Sequence, residues 1–250
     1  MITRKSPEQI ALMRRAGVIV AEMHEECIRA AKPGATTADV DAVARDVLER
    51  RGARSNFLGY HGFPAVVCTS PNDVIVHGIP SDEVVLEEGD ILSIDCGAIV
   101  EGWHADAAVT VPVGDIDDES KRLIEVTRTS LDAGIGHVRE GERLGDIGAA
   151  VEEVATGAGF TVVREYVGHG IGTAMHEEPQ VPNYGPPGRG LKLKEGLVLA
   201  IEPMVNAGGP ETEVLRDGWA VVTRDHRRSA HFEHTIAITE HGPEVLTRPG

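Results

Sequence analysis

Leu86-Glu-Glu-Gly-Asp-Ile-Leu-Ser-Ile-Asp95 returns 107 residues later as Leu193-Lys-Glu-Gly-Leu-Val-Leu-Ala-Ile-Glu202. Five of the ten positions are identical, and an acidic residue closes both copies. The same offset aligns Gly34 with Gly141, Asp39 with Asp146, Val40 with Ile147 and Val47 with Val154. Further on, Asp106-Ala-Ala-Val-Thr-Val aligns with Glu233-His-Thr-Ile-Ala-Ile at an offset of 127, so the second copy carries about twenty extra residues between its two acids. Helix starts and strands repeating at one offset point to an internal duplication. Two helix-then-sheet halves imply an α+β fold with a pseudo-twofold axis, towards which two acids from each half converge.

Outward from the repeat, the helices have local signals. Ser6 is a good N-cap, Pro7 suits the first helical position, and Glu8 complements the dipole. The resulting helix is expected to end at Lys32-Pro33-Gly34. A second is predicted over Thr37–Arg51, with Val40, Val43, Val47 and Leu48 on one face and Gly52 after it. Two more are expected over Glu119–His137 and Asp146–Thr156. Ile91–Val113 reads as a β-hairpin, and residues 57–80 as short β-like pieces among Gly, Pro and aromatics.

Composition limits the partners. The 250 residues are 41% hydrophobic and 26% charged, enough to bury a core without disulfides. Forty acidic against 24 basic residues give a formal net charge of −16, which argues against broad electrostatic binding of nucleic acid or an anionic membrane. The N-terminus has no apolar signal segment, and no apolar run approaches the ~18 residues of a membrane span. Cys27, Cys68 and Cys96 form no CxxC and no disulfide framework, so a reducing cytoplasm is the expected compartment.

The chemistry gathers at the acids. With the turn centred on Val100–Glu101, Asp95 and Asp106 are expected opposite one another on one face of the hairpin. Two like charges among apolar strand residues need a compensating cation or a raised pKa. Glu202 and Glu233 repeat the situation in the other half. His169, in the Gly-rich loop Val167-Gly-His-Gly-Ile-Gly172, supplies an imidazole. Its glycine spacing fits neither a dinucleotide nor a phosphate loop, and no HExxH is present. Four carboxylates and one imidazole make a hard site of charge about −4. Two divalent ions (Mn, Fe, Co or Zn) would neutralise it. Paired metals about 3.5–4 Å apart are a known hydrolytic arrangement.

With these residues in place the chain resembles the type I methionine aminopeptidases over nearly its whole length. The resemblance rests on Leu58-Gly-Tyr-His-Gly-Phe-Pro64, His77-Gly-Ile-Pro80, Ser93-Ile-Asp-Cys-Gly97, Gly102-Trp-His-Ala-Asp106, Gly168-His-Gly-Ile-Gly172, Met175-His-Glu177, Ile201-Glu-Pro-Met204 and Phe232-Glu-His-Thr235. It implies the pita-bread fold in a single catalytic domain over 1–250, with halves of roughly 1–115 and 116–250. It also implies removal of the initiator methionine by metal-activated attack of water on the first peptide bond, when the second residue is small. Carried over residue by residue, Asp95 holds one metal, Asp106 and Glu233 bridge both, and His169 and Glu202 complete the other site. Glu202 takes up the proton of the attacking water. His77 and His176 contact the substrate amide and stabilise the oxyanion. Tyr60, Phe63, Cys68, Trp219, His77 and Phe57 occupy the methionine-pocket positions, where a thioether needs soft apolar walls. Asn72, Val74 and Ser229 match a site for a monovalent cation, Na or K.

The implied partners are nascent polypeptide N-termini and a transient ribosome contact, with no nucleic-acid substrate and no membrane, for a cytoplasmic monomer. Phe57, Phe63 and Met175 depart from the residues frequent in relatives, which bears on pocket width and not on the metal ligands. No N-terminal zinc or Pro-rich extension and no long insertion of the type II kind is expected. The rival readings are a proline-specific aminopeptidase or dipeptidase of the same fold, a non-enzymatic binding protein that has lost its ligands, and a metal-free C–N hydrolase.

Overall fold

The computed structural model describes residues 2–249. The first half contains α1 (Pro7–Ala30), α2 (Thr37–Arg51), β1 (Arg54–Ser55), β2 (Val67–Pro71), β3 (Val74–Val76), β4 (Ile91–Val100) and β5 (Trp103–Pro112). The second contains α3 (Asp118–Ile135), α4 (Leu144–Gly157), β6 (Thr161–Val162), β7 (Gly168–Gly170), β8 (Glu177–Val181) and β9 (Val198–Ile201). It continues with β10 (Met204–Asn206), β11 (Thr212–Val214), β12 (Val221–Thr223), β13 (Ser229–His231), β14 (His234–Thr239) and β15 (Gly242–Val245).

The caps set the helix ends. Ser6 and Gln9 form a reciprocal capping box at the start of α1, and Thr36 and Asp39 form another at α2. Gly52, at φ 61°, stops α2 in the left-handed conformation. The apolar faces of α1 and α2 pack on β2, β4 and β5, and those of α3 and α4 on β9 and β14. Leu92, Ile94, Leu199 and Ile236 are fully buried in these two cores. Each such side chain contributes about 1.5–3 kcal/mol.

The 107-residue offset recurs in three dimensions. β1 reappears as β6, and α2 as α4. The isolated bridge Thr36–Val85 has its counterpart in Arg143–Lys192. The hydrogen bond from Leu86 N–H to Ala35 O is matched by that from Leu193 N–H to Glu142 O. The architecture is that of two related helix-plus-antiparallel-sheet halves. β4 pairs with β1, β2 and β5, and a five-stranded sheet runs β15-β14-β9-β7-β8. The halves meet where β5 lies beside residues 233–235. Ala108 and Glu233 exchange backbone hydrogen bonds of 3.3 and 2.8 Å, and Thr235 Oγ1 both accepts from Asp106 N–H and donates to Asp106 O.

Two expectations need correction. The β4–β5 turn is Glu101–Gly102, with both residues at positive φ, 51° and 82°. This is the geometry of a two-residue hairpin loop that follows the strand twist. Asp95 therefore faces Ala108, and Asp106 faces Gly97. The shift moves each strand's partner by two residues, so the two acids still share a face but stand on a diagonal. His169 is not in a loop but on β7, between β8 and β9. Its flanking glycines serve the sheet: a Cβ on Gly168 would lie 2.3 Å from Ala200 O, and one on Gly170 2.3 Å from Glu178 O. Among the described residues no helix is long and apolar enough to cross a membrane.

Candidate active site

Asp95 sits mid-way along β4, Asp106 on β5, His169 on β7, Glu202 directly after β9, and Glu233 between β13 and β14. These strands converge at the seam of the two halves, and all five side chains line one cavity of about 150 Å³. The same cavity is lined by Phe57, Tyr60, Phe63, Cys68, His77, His176 and Trp219, so every candidate catalytic, pocket and metal-ligating residue from the sequence meets there. Met175 completes the wall. Asn72 and Ser229 adjoin one another elsewhere, through Ser229 N–H to Asn72 O at 2.9 Å, and Val74 lies on β3, pairing with β12.

The cavity has two chemically distinct ends. One is apolar: Phe57 and Phe63 meet edge to face at 6.5 Å, as do Phe63 and Trp219 at 5.1 Å. Burial, with the charges of Asp95 and Asp106, pushes the Cys68 thiol well up, so it remains a protonated, soft contact. The other end holds the acids. Burial pushes Asp95 up to about 7. Asp106 is raised by burial and by the charges of Glu233 and Asp95; Glu202 by burial and by Asp95 and Asp106; Glu233 by burial and by Glu202 and Asp95. Among the described residues no Lys or Arg pairs with any of the four, and Asp95 Oδ1, Asp106 Oδ1 and Glu233 Oε1 are buried with no hydrogen-bond partner.

Buried anions without partners are strongly unfavourable, and a cation is the ordinary remedy. The donor set fits divalent metal. Oxygen or nitrogen atoms of Asp106, His169 and Glu233 lie within 4.8 Å of one another, as do those of Glu202, His231 and Glu233. His169 supplies a neutral ring: burial first, then the neighbouring His176, lowers its pKa to about 3, and its Nδ1 lies 2.9 Å from Gly170 O.

Two histidines face the acids from the cavity walls. Burial, then the charge of His176, lowers His77 to about 4. His176 is lowered by burial and by His61, and its Nδ1 lies 2.8 Å from Tyr60 Oη. The turn carrying His176 is held by Glu177, whose Oε1 accepts from Thr173 N–H and Ala174 N–H at 2.9 and 3.3 Å. Its Oε2 pairs with the buried Lys5 Nζ at 2.8 Å and accepts from Thr3 Oγ1 at 2.9 Å.

A model of metallopeptidase family M24 matches residues 11–240. The chain belongs to metallopeptidase family M24. Within M24 it stands with the methionine aminopeptidases. It is 51% identical over 248 residues to methionine aminopeptidase 1 of Bacillus subtilis (strain 168), spanning 99% of this chain and all of that one. The crystal structure of the Thermotoga maritima methionine aminopeptidase superposes with a TM-score of 0.98 at 45% identity, covering 99% of this chain and 100% of that one. The M24 fold extends to the prolidase of Pyrococcus furiosus, with a TM-score of 0.79 at 22% identity over 98% of this chain and 65% of that one. The fold of the chain is thus the pita-bread fold of M24, and the chain is a metal-dependent hydrolase.

One residue beside the acids was not read from the sequence. His231 is buried, and its Nε2 lies 3.8 Å from Glu202 Oε2. Its signal was present: in an extended segment residues 231 and 233 share a face, so a His two before a candidate ligand points the same way.

Proposed function

We propose that this chain removes the N-terminal methionine from peptides and nascent proteins whose second residue is small. The carrying observation is the two-ended cavity. The whole cavity, of about 150 Å³, is the size of one that takes benzene. Its apolar end, lined by aromatic rings and a thiol, has room for one side chain such as a thioether and opens on four carboxylates. A substrate whose first side chain fills the apolar end places its first peptide bond at the acids.

In this reading Asp95 would hold one divalent cation, His169 and Glu202 would hold a second, and Asp106 and Glu233 would serve both. Such ions, of the class Mn, Fe, Co or Zn, would lower the pKa of a water and polarise the scissile carbonyl. Glu202 takes the proton of the attacking water and passes it towards the leaving amine. Tyr60 donates to His176 Nδ1, which leaves Nε2–H to meet the developing oxyanion. His77, kept neutral by burial, orients the substrate amide. Trp219, Phe57, Phe63 and Cys68 exclude water from the methionine side chain. Asn72, Val74 and Ser229 would hold a monovalent cation, Na or K. The chain works as one cytoplasmic catalytic unit, a monomer with transient ribosome contact.

The test is a peptide panel. Met-Ala-Ser should be cleaved by the metal-loaded enzyme, not after chelation, and again after metal is restored. Equal or faster release of non-Met residues from X-Pro peptides would move the chain to the proline-specific group. Two bound metals with no cleavage of any peptide would make it a binding protein.

A further inference from the structure

Glu202 has an imidazole facing each of its carboxylate oxygens. His169 Nε2 lies 3.4 Å from Oε1, and His231 Nε2 lies 3.8 Å from Oε2. Neither pair makes a hydrogen bond, whose N···O separation centres near 2.9–3.0 Å. Both gaps suit two atoms bound to one ion: with bonds of about 2.1 Å, neighbouring ligands stand about 3–4 Å apart. His231 is 1% exposed, and its Nε2 has no hydrogen-bond partner. Its backbone is fixed at the seam, with N–H donating to Thr110 Oγ1 at 2.8 Å and the carbonyl accepting from that hydroxyl at 2.9 Å. Ligand atoms of Glu202, His231 and Glu233 lie within 4.8 Å of one another, just as those of Asp106, His169 and Glu233 do. The two sets share Glu233 and have the same make-up of two carboxylates and one imidazole.

We infer that His231 is a sixth metal ligand, donating Nε2 to a divalent cation that Glu202 and Glu233 also hold. The inference rests on reading those two carboxylates as ligands. Its chemical consequence is a second imidazole at the position that His169 and Glu202 complete, while the position of Asp95 keeps carboxylates only. Imidazole favours Fe, Zn and other borderline ions over Mg and Ca, so the position with two imidazoles would discriminate against the abundant hard cations.

Metal-free His231→Ala, His231→Gln and His169→Ala are titrated with Mn(II) and Co(II) by calorimetry beside the parent, and the Co(II) visible spectrum is recorded. The expected result is a loss of tenfold or more in the affinity of one binding step in His231→Ala, with a changed Co(II) spectrum, and a comparable loss in His169→Ala. If His231→Ala fails to fold by circular dichroism, His231→Gln carries the test, with the same tenfold loss expected. Parent-like affinities and spectrum in the His231 variants, with a loss in His169→Ala, would overturn the role of His231 and leave the metal site standing. Parent-like affinities in all three would remove the metal reading of the cluster itself.

Discussion

Lys5→Met tests how the chain's first residues act on the catalytic cavity. The Lys5 side chain is 4% exposed, and its Nζ pairs with Glu177, 13% exposed, at 2.8 Å. Glu177 in turn pins the backbone of Thr173 and Ala174, so the ion pair fastens the turn bearing Met175 and His176. Methionine keeps the apolar stem and removes the charge. Breaking a buried pair from one side costs about 3–5 kcal/mol. Glu177 retains two backbone donors and some water, so about 3 kcal/mol is expected. At about 2 °C per kcal/mol for a chain of this length, the metal-loaded enzyme should melt about 6 °C lower. The turn should loosen with it, and kcat on Met-Ala-Ser should fall about ten- to hundredfold while KM moves little. The effect also has a sign in pH. Burial raises the Glu177 carboxyl, but the hydrogen bonds from Lys5 and Thr3 and the Lys5 charge outweigh it and hold its pKa below the ordinary value. Its contribution is therefore full above the unfolded Glu range and is lost as pH falls towards the folded value, so the variant and parent should converge in acid. Arg15→Met, which breaks a pair more than half exposed on both sides, is the control and should shift melting by less than about 2 °C. Thermal unfolding at pH 4 and pH 7 with steady-state kinetics decides it. A Lys5→Met enzyme melting with its parent at pH 7, or one equally destabilised at both pH values, would refute the reasoning.

Glu202→Gln should lower kcat on Met-Ala-Ser by at least about 10²-fold with the circular dichroism spectrum unchanged, since it removes the proton acceptor. The metal-free protein should lose stability as pH rises. The folded pKa values of the four cavity acids lie above their unfolded ones, so their contribution is full in acid and falls away up to about pH 7 for Asp95. Melting curves from pH 5 to 8 with chelator should show this slope, and saturating Mn(II) should remove it. Trp219→Ala opens the apolar end and should raise KM for Met-Ala-Ser about tenfold or more while admitting bulkier first residues, read by a peptide panel. Gly168→Ala drives a Cβ to 2.3 Å from Ala200 O and should displace β7, which calorimetry would register as weakened metal binding.

Legibility followed locality. α2 is legible to the residue because its signals, the apolar spacing of Val40, Val43 and Val47 and the Gly52 stop, are local. The β4–β5 register was missed by two because its turn relies on Glu101 at φ 51°, a conformation that Asn or Asp would have advertised and Glu does not. β7 hid as a loop because its glycines answer neighbouring strands, and strand proximity is not written in the segment itself. The acids were legible because the repeat placed them in register. His231 has its own counterpart at the offset of 127, His104, two residues before Asp106. The two imidazoles serve different places: His104 lines a separate cleft with Arg54 and Asn56, while His231 reaches Glu202. The repeat therefore marks the pair without telling which member meets the acids.

The extra residues between Glu202 and Glu233 carry β11, β12 and Trp219, and nothing in the first half mirrors them. The symmetric part of the molecule supplies the carboxylates, and the unmatched part closes the pocket on the side chain. Reaction and selectivity are therefore held in part by different stretches of chain. A new reaction would need concerted change in both halves, whereas a new preference for the first residue can come from the stretch that has no twin.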